Sequence, residues 1–90
     1  MMEEIIVYIN NLTYKATIIK RGANHDIQRR GKFTFKGKDS FKMIALKFDE
    51  DMPNDFNGTP IIIRHENGEE ELIQPQNCSI DKNVVIIIFK

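Results

Sequence analysis

Two histidines and one cysteine are the side chains of this sequence that could support catalysis. His25 and His65, with a lysine or arginine nearby, could cleave RNA by acting as general base and general acid. No motif fixes a second catalytic group beside either histidine, because the chain has no Gly-x-Ser-x-Gly, phosphate-cradling loop or dinucleotide fingerprint. Cys78 has no nucleophile signature around it. The sequence therefore favours a structural His65 and predicts that the protein is not an enzyme.

Four carboxylates lie close together in one stretch of the sequence, which makes this stretch a candidate metal site. Oxygen-rich loops can hold calcium, and the candidate ligands are Asp49, Glu50, Asp51 and Asp55. The alternating ligand spacing and the turn glycine of the known calcium-binding loop are missing, and a single cysteine excludes a cysteine-based metal cluster. The stretch is interpreted as a solvated acidic loop, and neither a metal nor a cofactor is expected.

The segment 20–32, KRGANHDIQRRGK, is polar, basic and bracketed by glycines. It lies within a longer basic region, 15–47, that holds ten of the 13 lysines and arginines. Basic side chains interleaved with Phe33 and Phe35 suit single-stranded nucleic acid, whereas core phenylalanines would leave only phosphate contacts. Long loops in compact domains are often functional. The predicted partner-binding residues are Arg21, His25, Arg29, Arg30, Lys32, Lys36 and Lys38.

The formal net charge is zero, but the charges are unevenly distributed along the chain. Residues 1–48 carry ten basic and four acidic residues, and residues 49–90 carry three basic and nine acidic residues, giving +6 and −6. Such an asymmetry can dock a protein partner or a second copy of the chain. The alternative is that the opposite charges pair across neighbouring strands of one fold.

Length and composition indicate one small domain in a reducing compartment. Ninety residues supply one hydrophobic core. The longest apolar run, VVIIIF at 84–89, is far shorter than the roughly 20 residues that a membrane helix needs. The acidic N-terminus does not resemble a signal peptide, so a cytoplasmic location is expected. Heavy use of isoleucine, lysine and asparagine is typical of AT-rich coding, which indicates a bacterium or its phage.

The strand pattern begins with a hairpin whose register can be derived. Asn10 and Asn11 form a two-residue turn, because asparagine tolerates the positive φ that favoured hairpin turns require. One face then becomes wholly apolar, as expected for a half-buried antiparallel pair. Its predicted pairs are Ile9 with Leu12, Val7 with Tyr14 and Ile5 with Ala16.

A second hairpin is predicted over residues 32–48, with Gly37, Lys38 and Asp39 in its loop. This register places Phe35 opposite Phe41 and Phe33 opposite Met43. Residues 40–48 also fit a helical spacing, through Phe41, Ile44 and Phe48. A strand is preferred because the hairpin register places the paired phenylalanines and Met43 on one face.

The rest of the chain predicts a loop, a third hairpin and a closing strand. Residues 49–60 read as a loop, with at most one short helical turn. Asn67 and Gly68 are the strongest short-range hairpin signal. The predicted pairs around them are Arg64 with Glu71, His65 with Glu70 and Ile63 with Leu72. A last turn at 81–83 leads to a strand that is apolar on both faces and belongs inside a sheet.

Together these elements predict an all-β fold: a small antiparallel sandwich or barrel of six to seven strands, built from three hairpins. The expected function is a non-enzymatic interaction module that binds a protein partner or itself, as an inhibitor or adaptor of a host factor or as a virion part. Nonspecific nucleic-acid binding through region 15–47 is the alternative. No membrane and no small-molecule cofactor are expected as partners.

Overall fold

The computed structural model describes residues 2–23, 41–54, 56 and 58–90. Within these ranges all regular structure is β, as predicted, and there is no helix that could span a membrane. The strands are β1 (Glu3–Ile9), β2 (Leu12–Ala23), β3 (Lys42–Phe48), β4 (Ile61–Arg64), β5 (Glu70–Ile73), β6 (Pro75–Asp81) and β7 (Val84–Phe89).

The seven strands form one antiparallel sheet, in the order β5-β4-β1-β2-β3-β7-β6, that curls into a half-barrel. The two edge strands, β5 and β6, are consecutive in the chain and are joined by Gln74 alone. Two residue steps span at most about 7 Å, whereas the edges of a flat seven-stranded sheet lie about 29 Å apart. The sheet must therefore curl, and its inner face becomes the core.

The first hairpin has the predicted register along its whole length. Ile9 faces Leu12, Val7 faces Tyr14 and Ile5 faces Ala16. Asn10 and Asn11 have φ angles of 50° and 65°, the left-handed conformation that the favoured two-residue turns require. The asparagine pair therefore sets which side chains of β1 reach the core.

Residues 42–48 form a strand, which confirms the preference for strand over helix. The predicted partner of this strand is wrong, however. Met43 pairs with Gly22 on β2 and with Ile88 on β7, so both of its edges are occupied and it cannot also pair with Phe33. Residues 33 and 35, and the predicted loop 37–39, lie outside the described residues.

The third hairpin is present, but its predicted register is wrong by one residue. The observed pairs are Arg64 with Glu70, Ile63 with Glu71 and Ile62 with Leu72. The reason lies in the loop: the Gly68 amide donates to the His65 carbonyl, and the His65 amide donates to the Glu69 carbonyl. With φ of 88°, Gly68 is the left-handed third residue of a three-residue loop and not the second residue of a two-residue turn. A one-residue shift moves each side chain of β5 to the opposite face.

The core lies on the inner face and is closed at one end by loop 49–60. Phe56, in this loop, is buried against Phe48, with ring centroids 5.9 Å apart, and Tyr14 packs edge-on against Phe48 at 6.1 Å. The described part of the loop contains no helical turn. The sequence identifies the loop but not its packing role, because a lone phenylalanine among polar residues has no periodicity.

The last strand occupies the interior position that its two apolar faces predict. β7 lies between β3 and β6. Val85, Ile87 and Phe89 point into the core, while Ile86 remains 39% exposed on the outer face. The hairpin that it forms with β6 turns at Lys82 and Asn83, within the predicted turn.

Two adjacent isoleucines of β4 test this assignment of faces. Ile63 is fully buried and Ile62 is 38% exposed. We expect Ile63→Ala to lower the free energy of unfolding by about 2–5 kcal/mol, because it leaves a core cavity, and Ile62→Ala to lower it by about 1 kcal/mol or less. Urea denaturation measures both. Equal losses would contradict the observed register.

Candidate functional site

Of the predicted partner-binding residues, only Arg21 lies within the described part of the chain. It is on β2, and its side chain is 42% exposed. The other six, His25, Arg29, Arg30, Lys32, Lys36 and Lys38, lie outside the described residues.

A β-bulge on β2 determines where Arg21 points. Ile18 pairs with Leu46 and Lys20 pairs with Ala45, so Ile19 is an extra residue with no partner of its own. Without this bulge Arg21 would share the outer face with Lys15 and Thr17. With it, Arg21 pairs with the buried Ile44 and lies on the inner face.

Arg21 belongs to a network of four charged side chains at the end of the half-barrel where β1 begins. We call Glu3, Arg21, His65 and Glu71 the charge network. The Arg21 guanidinium donates to both Glu71 carboxylate oxygens, at 3.1 and 2.7 Å. His65 Nδ1 lies 2.8 Å from Glu3 Oε2, and His65 Nε2 lies 3.0 Å from Glu71 Oε1. The network therefore links β1, β2 and β5 through side chains on the inner face.

The predicted ion pairs of this hairpin exchange partners in the structure. His65 was expected opposite Glu70 and Arg64 opposite Glu71. Instead Arg64 pairs with Glu70 at 3.2 Å on the outer face, and His65 pairs with Glu3 and Glu71. The structural role expected for His65 fits these contacts, although its partners differ.

Both ring nitrogens of His65 face carboxylate oxygens, and this geometry favours the doubly protonated imidazolium. A neutral imidazole carries one N–H and could donate to only one carboxylate. Burial alone would lower the pKa of His65, but the hydrogen bonds to Glu3 and Glu71 outweigh burial and raise it. His65 is therefore held in its charged form to higher pH than an ordinary histidine.

The carboxylates of the network shift in the opposite direction. The hydrogen bond from His65 lowers the pKa of Glu3, and the hydrogen bonds from Arg21 lower the pKa of Glu71. The same contact with Glu71 raises the pKa of Arg21. The two cations and the two carboxylates of the charge network therefore neutralise one another and join the three strands.

An apolar row crosses the outer face of the three strands nearest the β5 edge. Tyr8 pairs with Ile62, and Ile62 pairs with Leu72; we call these three residues the outer apolar row. Leu72 is 63% exposed and Ile62 is 38% exposed. A depression of about 550 Å³ lies over the row, and the Arg64 guanidinium covers the Tyr8 ring at 5.4 Å.

The backbone beside this row is unpaired on one side. The His65–Glu69 hydrogen bond fixes the alternation of the β4–β5 ladder, so Glu71 and Ile73 bond to β4 while Glu70 and Leu72 direct their N–H and C=O groups away from it. Among the described strands, none pairs with this side of β5. Leu72 thus presents both an exposed side chain and an available backbone.

The predicted basic region contributes a small cationic area elsewhere on the outer face. Lys15 on β2, Lys47 on β3 and Lys20 after the bulge are all exposed. Lys47 pairs with Thr17, two residues from Lys15 on the same face. Within the described part of the chain none of the three lysines forms an ion pair. Arg21, in contrast, is committed to Glu71.

Cys78 and the acidic residues of loop 49–60 are the remaining candidates. Cys78 lies on β6, partly buried against the core. Asp49, Glu50 and Asp51 are exposed, and Asp55 is outside the described residues. The described side chains include no group of three His, Cys, Asp or Glu residues arranged to hold a metal ion.

Comparisons with protein-family models, curated proteins and solved structures give no significant match to this chain. Its function must therefore be inferred from its own residues.

Two adjacent glutamates of β5 test the charge network. Glu71 is 29% exposed and binds two cations, whereas Glu70 is 49% exposed and, among the described residues, pairs with Arg64. We expect Glu71→Gln to lower the free energy of unfolding by about 1 kcal/mol or more, and Glu70→Gln to change it by about 0.5 kcal/mol or less. Denaturation at pH 6 measures both. A larger loss for Glu70→Gln would refute the inner-face assignment.

The charge network also predicts how stability depends on pH. The raised pKa of His65 gives stability that is complete below an ordinary histidine pKa of about 6.5 and is lost as pH rises through the raised value. The lowered pKa values of Glu3 and Glu71 give stability that is complete above an ordinary carboxyl pKa of about 4.3 and is lost as pH falls. We therefore expect the network to stabilise most between about pH 4.5 and 6.5.

Denaturation of wild type and His65→Gln from pH 5.5 to 8.5 checks the expected loss of stability at higher pH. The difference in unfolding free energy, on the order of 1 kcal/mol at pH 5.5, should shrink as pH rises. Arg64→Gln, which removes an ion pair without a group that titrates in this range, should keep the wild-type slope. A difference between wild type and His65→Gln that is independent of pH would show that His65 has the same pKa in the folded and unfolded states, and would contradict the raised pKa.

Proposed function

We propose that the protein is a non-enzymatic interaction module that binds a protein partner through the outer face of β4 and β5. The observation that carries this proposal is the outer apolar row, where Leu72 and Ile62 are exposed side by side. Ile61, Ile63 and Ile73 of the same two strands are fully buried. Exposed apolar side chains bordered by charged groups are typical of protein-binding surfaces.

The surroundings of the row support a protein partner. Arg64 and Glu70 border it as an exposed ion pair, which supplies a polar rim. The charge network lies on the inner face, opposite the outer apolar row, and holds β5 in place through Glu71. The expected roles, an inhibitor or adaptor of a host factor or a virion part in a bacterial or phage setting, remain part of the proposal.

Nonspecific binding of nucleic acid is the second candidate, because Lys15, Lys20 and Lys47 are exposed on one face. Such binding would weaken steeply with salt, since each phosphate contact releases counterions. Titration of a labelled homopolymer single strand at increasing salt separates the two functions. We expect no binding at moderate salt; a steep salt-dependent affinity, reduced by Lys15→Ala and Lys47→Ala, would favour the second candidate.

A photo-crosslinking side chain placed at position 72 tests the proposed surface. We expect a discrete crosslinked product in the source cells from position 72, and none from position 86, which is similarly apolar but lies on β7. The crosslinked protein is then purified and its affinity measured directly. The double variant Ile62→Ala, Leu72→Ala should bind it at least about tenfold more weakly, because each lost apolar contact contributes on the order of 1 kcal/mol.

Retained folding of the double variant, checked by thermal denaturation, is needed for this comparison. Equal crosslinking from positions 72 and 86, or unchanged affinity of a folded double variant, would contradict the proposal.

A further inference from the structure

We infer that the partner adds an extended segment, antiparallel, to the edge of β5 that no described strand occupies, with a basic residue opposite Glu70 and an apolar residue opposite Leu72. This inference rests on the proposed function and specifies the chemistry of the partner. Its first support is the backbone: Glu70 and Leu72 each direct an N–H and a C=O away from β4, which is the arrangement that strand addition uses.

The two edges of the sheet, which no described strand covers, differ in how well they resist an added strand. β6 begins with Pro75 and has a register irregularity between Pro75 and Asn77, and prolines and bulges are devices that protect an edge. β5 has neither, and its register with β4 is regular over all four residues. Strand addition is therefore expected at β5 and not at β6.

The side chains of β5 define the added segment. Glu70 and Leu72 lie on the outer face, two residues apart, so residues directly opposite them project on that same face. An apolar side chain opposite Leu72 would extend the outer apolar row by one strand. Opposite Glu70 the chemistry favours a cation, because opposite charges directly across a strand pair stabilise it and like charges destabilise it.

Charge also argues against a second copy as the occupant. The β5 edge is flanked by Glu66, Glu69 and Glu70, so pairing β5 with β5 would gather carboxylates from both chains at one seam. The other free edge, β6 (Pro75–Asp81), contains an aspartate and no lysine or arginine. Within the described residues, neither edge strand of a second copy has a lysine or arginine to place opposite Glu70.

Short labelled peptides test this inference by fluorescence anisotropy. The basic probe is threonine-rich, with lysine, valine and lysine at alternate positions; the acidic probe has glutamate in place of each lysine. The blocked probe is the basic probe carrying N-methyl groups on its valine and lysines, which removes the donors that face β5. We expect the basic probe to bind at least about tenfold more tightly than either of the others at low salt.

Variants of the protein make the test specific to the edge. Glu70→Lys should invert the preference, so that the acidic probe binds more tightly than the basic one. Leu72→Asn should weaken the binding of the basic probe about tenfold. Ile86→Asn, which changes the outer face of β7, should leave that binding unchanged. A shared affinity for all three probes, an absence of binding by any of them, or a preference that survives Glu70→Lys would overturn the inference.

Failure of the inference can be distinguished from failure of the proposed function. In one outcome, the crosslinked partner binds the Ile62→Ala, Leu72→Ala variant more weakly and the Glu70→Lys variant as tightly as wild type. In that case the proposed binding surface is correct and the inferred strand addition is wrong. If neither variant changes its affinity, both are wrong.

Discussion

The single-residue connection between β5 and β6 is the constraint on which the rest of this fold depends. These two strands are the opposite edges of the sheet, yet only Gln74 separates them in the chain. The sheet can satisfy both facts only by curling, which turns one face inward for every strand. Once the sheet is curled, its inner face encloses the core, and the buried residues of the described chain include sixteen hydrophobic ones and no polar or charged one. The half-barrel is thus a consequence of connectivity as much as of hydrophobic pattern.

A curled sheet leaves two ends to be closed, and this chain closes them by different chemistry. Phe56 closes one end by packing on Phe48. The charge network closes the other end, where Arg21 on β2 reaches Glu71 on β5 across the inner face. Two local irregularities make this second closure possible: the bulge at Ile19 turns Arg21 inward, and Gly68 turns Glu71 inward. Each shifts its strand by one residue, and loss of either would separate the ion pair.

The same irregularities explain which parts of the structure could be predicted. The first hairpin followed from sequence because Asn10 and Asn11 dictate the turn and only one register gives an apolar face. In the third hairpin, Leu72 and Ile73 are both apolar, so alternation cannot decide which of them faces the core, and the role of Gly68 in the loop decides instead. The bulge leaves no signal in the alternation around Ile18 and Ile19, which are both isoleucine. The candidate site depends on these two shifts. Sequence reasoning singled out Arg21 and His65 but not Glu3, and it predicted Leu72 opposite Ile63, whereas Leu72 is exposed beside Ile62.

The contacts on the inner face of β5 also determine how firmly its exposed outer face is held. A four-residue edge strand is too short to be held firmly by its ladder to β4 alone. On its inner face, Glu71 ties it to Arg21 and His65, and Ile73 anchors it in the core. On its outer face, Glu70 and Leu72 are consequently fixed without taking part in the core themselves. The proposed partner, docking on Leu72, would meet a strand that its inner-face contacts already order, so the entropic cost of ordering that edge would not be added to the free energy of binding.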